Sequence, residues 1–202
     1  EMELWLEFRR VLFRSTDEMA IADTQAVEDQ VYMNTAETLA VQTAGHEIAS
    51  HTKSHANLPT LDSSWATAEI VGSRDALIGS GFAPVTTLVY PYGEHSPETI
   101  QIARDAWYTA GRDDAYGYNT KDTGKFHLFV QNVGSGTTET EVKHWIDTAY
   151  NNNLWLILMF HQVDNSGFDY AVTPTTFTNI VDYAYAKGIQ TVTIGEWAAL
   201  MN

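Results

Sequence analysis

Apolar residues run along this chain in two rhythms, and their alternation predicts the fold. Continuous apolar, β-branched runs at 85–90 and 154–160 (Leu-Trp-Leu-Ile-Leu-Met-Phe) read as strands buried on both faces, as strands of a parallel sheet are. Shorter strands are expected near 107–110 and 127–130 and over 190–194. Between them lie segments with helix start and stop signals. Asn34 with Glu37 makes a capping-box signature, and Gly45 sits where a C′ glycine belongs. A helix over 63–78 is ended by Gly79, Ser96-Pro97-Glu98 starts another, and Thr138 caps a third that runs to Tyr150. Thr173-Pro174 opens a helix through Lys187, stopped by Gly188, and a last short helix is expected at 196–201. Buried strands alternating with helices predict a parallel α/β architecture, which gathers ligands at the C-terminal ends of its strands.

One polar stretch stands out against this pattern. Residues 45–55 begin as a short extended run through Ile48 and Ala49, then carry His51 and His55 four positions apart. That spacing, about one turn of helix or a tight loop, lets both imidazoles face one point. Neutral imidazole suits zinc and its first-row neighbours, and a catalytic site needs three protein ligands and an open position. The two histidines thus read as a pair awaiting a third ligand, or else as hydrogen-bonding residues with no metal.

Composition narrows the field. A chain of 202 residues suits one domain with a sizeable core. A net charge of −15 argues against a nucleic-acid surface and against anchoring on anionic lipid, because both require clustered Lys and Arg. The absence of cysteine removes disulfides, zinc–thiolate sites and thiol nucleophiles together. No apolar run reaches the roughly 18 residues of a transmembrane helix. Six Trp and ten Tyr are enough to line a carbohydrate site or to pack core and rim. No G-x-S-x-G elbow, P-loop or dinucleotide fingerprint is present. Glu47, Glu94 and Glu196 show no pairing that would make a glycosidase.

Residues 1–15 (EMELWLEFRRVLFRS) show neither cap nor period and no signal-peptide pattern, and 10–15 look like a translated sequencing adaptor. They are expected to be a non-native leader to a domain over 16–202, the rival reading being an amphipathic helix packed on the domain.

Three motifs then combine. His51-Thr52-Lys53-Ser54-His55, Tyr90-Pro91-Tyr92-Gly93 and Leu158-Met159-Phe160-His161 resemble, in that order, the polysaccharide deacetylase family, also called carbohydrate esterase family 4 or the NodB homology domain. The likeness extends over about 32–201. It implies a distorted TIM-like (β/α) barrel with fewer than eight strands, and metal-dependent removal of acetyl groups from N- or O-acetylated sugars. By that resemblance His51 and His55 hold a divalent metal, zinc first, and the Tyr92 backbone N–H faces the developing oxyanion. Leu158 walls the acetyl-methyl pocket and His161 is the general acid. The implied partner is an acetylated polysaccharide or oligosaccharide such as chitin, peptidoglycan, xylan or an exopolysaccharide, and the implied location is the secreted or cell-envelope space of a bacterium. A non-catalytic carbohydrate-binding module on the same fold is the alternative.

Two departures from the family pattern matter. Its first motif, a Thr-Phe-Asp-Asp-like strand carrying the base and the third ligand, has no counterpart in 1–30, where Asp17, Asp23 and Asp29 read as solvated loop acids. The expectation is an N-terminally incomplete domain, its first strand missing, weak in metal affinity and nearly inactive. Val89 stands where many members carry an arginine. Arg112 is therefore a candidate for the base-holding or substrate-rim role, with Asp113 and Asp114 read as loop acids.

Overall fold

The computed structural model describes the backbone of residues 5–7 and 12–14 and all of residues 33–202. Five consecutive parallel strands form the curled body of a half-barrel: β3 (Ile48–Ser50), β4 (Thr87–Val89), β5 (Ala110–Tyr116), β6 (Leu128–Val133) and β7 (Leu156–Phe160). This is the distorted parallel barrel the sequence leads one to expect. Three short strands complete the order β10-β1-β7-β6-β5-β4-β3-β2, where β1 is Trp5–Glu7, β2 is Leu12–Arg14 and β10 is Gln190–Thr191. The expected strand number below eight therefore describes the body, and these short pieces bring the sheet to eight. A two-stranded flap, β8 (Gln162–Val163) with β9 (Ala171–Val172), follows β7. The acids Asp17, Asp23 and Asp29 lie outside the described residues.

Helices α1 (Thr35–Thr43), α2 (Ser63–Gly79), α3 (Pro97–Asp105), α4 (Glu139–Asn152), α5 (Pro174–Ala186) and α6 (Ile194–Ala198) fill the connections. Their starts follow the sequence signals closely. Asn34, Ser96 and Thr138 each close a capping box, and Thr173 caps α5 with Pro174 behind it. Such caps satisfy the orphan N–H groups of a first turn and contribute about 1 kcal/mol each. At the C-terminal end of α2 the left-handed glycine is Gly81, at φ 95°, two residues beyond the expected Gly79.

Strand alternation divides the core into an outer layer and an interior. Ile48 and Leu88 pack outward against Ile70 and Leu77 of α2 and Ala103 of α3, while Leu156 packs outward against α4 and α5. Inside, Leu128, Val130, Ile157 and Met159 meet Trp155, Trp197 and Met201. Trp155 is fully buried and stacks on Trp197 with ring centroids 5.0 Å apart. Two strands differ from expectation. The one placed near 107–110 is β5 over Ala110–Tyr116, because Arg112 and Asp113 are buried strand residues, and Asp113 and Asp114 are strand and not loop acids. The run 190–194 splits into β10 and the first residue of α6, because Thr193 caps that helix with Glu196 in a capping box.

At the N-terminal end of the sheet Glu47 ties the first part of the chain to the last. Its carboxylate accepts the Thr87 hydroxyl and, at 3.0 Å, the Gly195 N–H. It borders a cavity of about 650 Å³ with Thr86, Lys125 and Thr193. Burial raises its pKa above the ordinary 4.5 despite these donors. A carboxyl raised on folding contributes most below pH 4.5, and that contribution is lost as pH climbs through the folded value. Glu47→Ala orphans two donors and is expected to lower unfolding free energy by about 2 kcal/mol, read from the urea midpoint at neutral pH.

Candidate functional site

The register of the sheet sets the site. Ser50 pairs with Leu88, and Val89 pairs with Arg112, so the residues leaving β3 and β4 lie level with the middle of β5. From that level His51 turns to bring Nδ1 within 2.8 Å of the Val89 carbonyl oxygen. A carbonyl can only accept, so Nδ1 carries the proton and Nε2 carries the lone pair. Donation of the second ring N–H to a backbone carbonyl is the arrangement that fixes a metal-binding histidine in tautomer and orientation. Burial draws the His51 pKa down to about 3, with Arg112, His55 and His161 pushing the same way, so the ring is neutral at physiological pH. A neutral imidazole with a fixed lone pair fits a divalent cation.

The segment after His51 is a tight loop. Thr52 and His55 both adopt left-handed backbone, at φ 65° and 59°. The Lys53 and Ser54 N–H groups donate to Glu69 of α2 at 2.9 and 2.8 Å, which holds the loop against the helix. The result sets His55 edge-on to His51, ring centroids 4.6 Å apart, and edge-on to Tyr92 at 4.7 Å. Tyr92 is itself left-handed, φ 59° and ψ 15°, within the Pro91–Gly93 turn. That turn uses the Gly93 and Glu94 N–H groups on the Tyr90 and Pro91 carbonyls, and the Tyr92 N–H is not part of its hydrogen bonding. Three of the five non-glycine positive-φ residues among those described are thus at this one place. Each costs roughly 1–2 kcal/mol, strain of the kind that gathers at functional sites.

Arg112 is buried in the interior, its Nη1 donating to the Asp113 carbonyl at 3.0 Å and contacting Met159 Sδ at 2.9 Å. Its charge acts on His51 and on His161, which follows β7 directly and lies against the Tyr170 ring at 4.9 Å. Burial, reinforced by Arg112, lowers the His161 pKa below 6.5. The structure therefore brings His51, His55, Tyr92, Arg112 and His161 to one end of the sheet. Leu158 does not join them. It is buried in the outer layer with Val142, Ile146 and Ile180, because a residue three before His161 on a strand faces the opposite side. Met159, two before His161, is the side chain on the Arg112 face, and strand parity could have found it.

Sequence reasoning also missed a second cluster behind the Tyr92 turn. His95, Asp113 and His127 bring their candidate ligand atoms within 4.8 Å of one another. Its members lie far apart along the chain, two in loops and Asp113 in β5, so no spacing in the sequence announces it.

Comparison with known proteins agrees with this architecture. The family model described as polysaccharide deacetylase matches residues 21–111. A probable peptidoglycan-N-acetylglucosamine deacetylase of Arthroderma benhamiae is 26% identical over 160 residues, covering 75% of this chain. The chain spans about a third of that relative's length (31%). Among solved structures, the chitin deacetylase of Colletotrichum lindemuthianum matches 98% of this chain and 86% of its own, with a TM-score of 0.59 at 18% identity. A family 4 carbohydrate esterase from Streptomyces lividans, in complex with acetate, matches 95% and 92% with a TM-score of 0.55 at 15% identity. At these identities the two structures speak for the fold.

The positive charge of Arg112 disfavours the protonated form of His161, so its removal raises that pKa. In Arg112→Met the His161 ring, followed by NMR across pH, is expected to titrate at higher pH than in the wild type. An unchanged midpoint would show that Arg112 does not act on it.

Proposed function

We propose that this chain, whose residues 21–111 match the polysaccharide deacetylase family model, removes acetyl groups from N- or O-acetylated sugars at the His51–His161 end of the sheet. The observation that carries this reading is the convergence of His51, His55, Tyr92, Arg112 and His161, with His51 locked through Nδ1 onto the Val89 carbonyl. His51 and His55 are the residues that would hold a divalent metal, zinc first among the candidates. When bound, such an ion polarises an acetyl carbonyl and acidifies water at neutral pH.

The remaining steps belong to this chain's own groups. The Val89 bond keeps the His51 ring from rotating, so its lone pair holds one direction. The Tyr92 N–H, outside the hydrogen bonding of its own turn, is placed to donate to a developing oxyanion, a contribution of roughly 3 kcal/mol per donor. Water is the nucleophile, and its oxygen adds to the acetyl carbonyl. The C–N or C–O bond to the sugar then breaks to release acetate, and His161 passes the proton that the water gives up to the leaving amine or alkoxide. Arg112 keeps that imidazole acidic, so a proton reaching it is readily passed on. Exposed aromatic rings at Tyr92, Phe168 and Tyr170 offer sugar faces a platform at the same end. The substrate is an acetylated polysaccharide or oligosaccharide, which puts the working location in the secreted or envelope space. Among the described residues no helix is long and apolar enough to cross a membrane.

Acetate release from acetylated chitooligosaccharide, assayed with added zinc, tests the reading. His51→Ala and His161→Ala are each expected to lower the rate at least about a hundredfold, the scale of a lost general acid or metal ligand. A wild-type rate in His51→Ala would overturn it. Sugar binding by the wild type with neither zinc uptake nor acetate release would replace it with the binding-module reading.

A further inference from the structure

We propose that His95, Asp113 and His127 form a second divalent-metal site, separate from the His51–His55 pair, that clamps the turn carrying Tyr92. The three ligands come from separate parts of the chain. His95 precedes the Ser96 cap of α3, Asp113 lies within β5, and His127 stands one residue before β6. His95 Nε2 is 3.5 Å from Asp113 Oδ2, and the two imidazole rings meet edge-on with centroids 4.5 Å apart. Tetrahedral zinc with bonds near 2.1 Å sets its ligand atoms roughly 3.4 Å apart. The His95–Asp113 pair already has that separation. The whole set spans 4.8 Å, and His127, an exposed side chain, has the rotamer freedom to close the difference.

The surroundings support coordination over a simple ion pair. Asp113 is 6% exposed, and its other oxygen, Oδ1, accepts the Ala115 N–H at 3.0 Å, which aims Oδ2 at the histidines. One imidazole suffices for an ion pair, yet a second faces the same carboxylate. The Tyr90 ring packs on His95 at 4.8 Å and closes the inner side. Two imidazoles and one carboxylate suit zinc, cobalt or nickel, with solvent supplying the remaining position.

The clamp follows from chain connectivity. Tyr92 and His95 are three residues apart, and Gly93 between them presses on β5 so closely that a Cβ would meet the Asp114 backbone nitrogen at 2.8 Å. A metal on His95 would fasten the far side of the same turn to β5 and to the start of β6. This positional effect rests on the oxyanion reading of the Tyr92 N–H, whereas metal binding itself does not.

Cobalt titration of His51→Ala/His55→Ala, followed by visible absorption, tests the site without involving substrate. One equivalent of Co²⁺ is expected to bind, with binding abolished by adding His127→Asn and weakened at least tenfold by adding Asp113→Asn. Because His127 is exposed, its replacement reports ligation, and circular dichroism confirms the fold. Should the double variant fail to fold, His127→Asn in the wild-type chain is expected to lower the stoichiometry by one equivalent. With metal bound, backbone amide exchange in 91–95 is expected to slow. A folded double variant that takes up no Co²⁺, binding that survives His127→Asn in that variant, or an unchanged stoichiometry on His127→Asn in the wild-type chain overturns the inference.

Discussion

The site depends on the register of three parallel strands. Pairing of Ser50 with Leu88 and of Val89 with Arg112 puts the end of β3, the end of β4 and the middle of β5 on one level. From that level His51 reaches the Val89 carbonyl, and Arg112 enters the interior beside it. A shift of one residue in any strand would send these side chains into the helical layer, because successive residues face opposite sides. Register in turn is held by burial on both faces. Leu88 belongs to the layer beneath α2 and α3, whereas Leu128 and Ile157 belong to the interior. The apolar contacts that stabilise the sheet therefore also aim the polar groups at its end.

Two kinds of stress accumulate where the chain leaves the strands. Thr52, His55 and Tyr92 hold left-handed backbone, and Arg112, a permanent cation, is buried next to two histidines. Each feature costs stability that a purely structural loop could avoid with glycine or a neutral side chain. Their coincidence at one end of the sheet, and the compensating grip of Glu69 on the loop amides, is what sets this end apart from the Glu47 end. Glu47 is also a buried ionisable group, but its donors join β4 to α6, and its place between the first and last elements gives it a structural role.

Much of this was legible from the residues. Helix starts were, because capping is local chemistry: Asn34 with Glu37, Ser96 with Pro97, and Thr173 with Pro174 act within one turn. The histidine pair and the Pro-Tyr-Gly turn were legible for the same reason. What escaped had non-local causes. Strand β5 was misplaced because Arg112 and Asp113 look like loop residues until neighbouring strands bury them. Leu158 was assigned to the site because a strand apolar on both faces hides which face is which, and parity counted from His161 puts Met159, not Leu158, on the Arg112 face.

The His95–Asp113–His127 cluster carries the same lesson further. His95 and His127 are 32 positions apart, and Asp113 falls between them on a strand whose charge disguised it. Parallel topology converts that separation into contact, since the residue entering α3, the middle of β5 and the residue entering β6 meet on the outer side of the sheet. Residues at the ends of adjacent elements converge in any curled parallel sheet, so convergence alone proves little. What distinguishes this cluster is its chemistry, a carboxylate anchored on one oxygen by Ala115 and met at the other by imidazole. A group held in this way is ordered before any ligand arrives, and prior order lowers the entropic cost of binding.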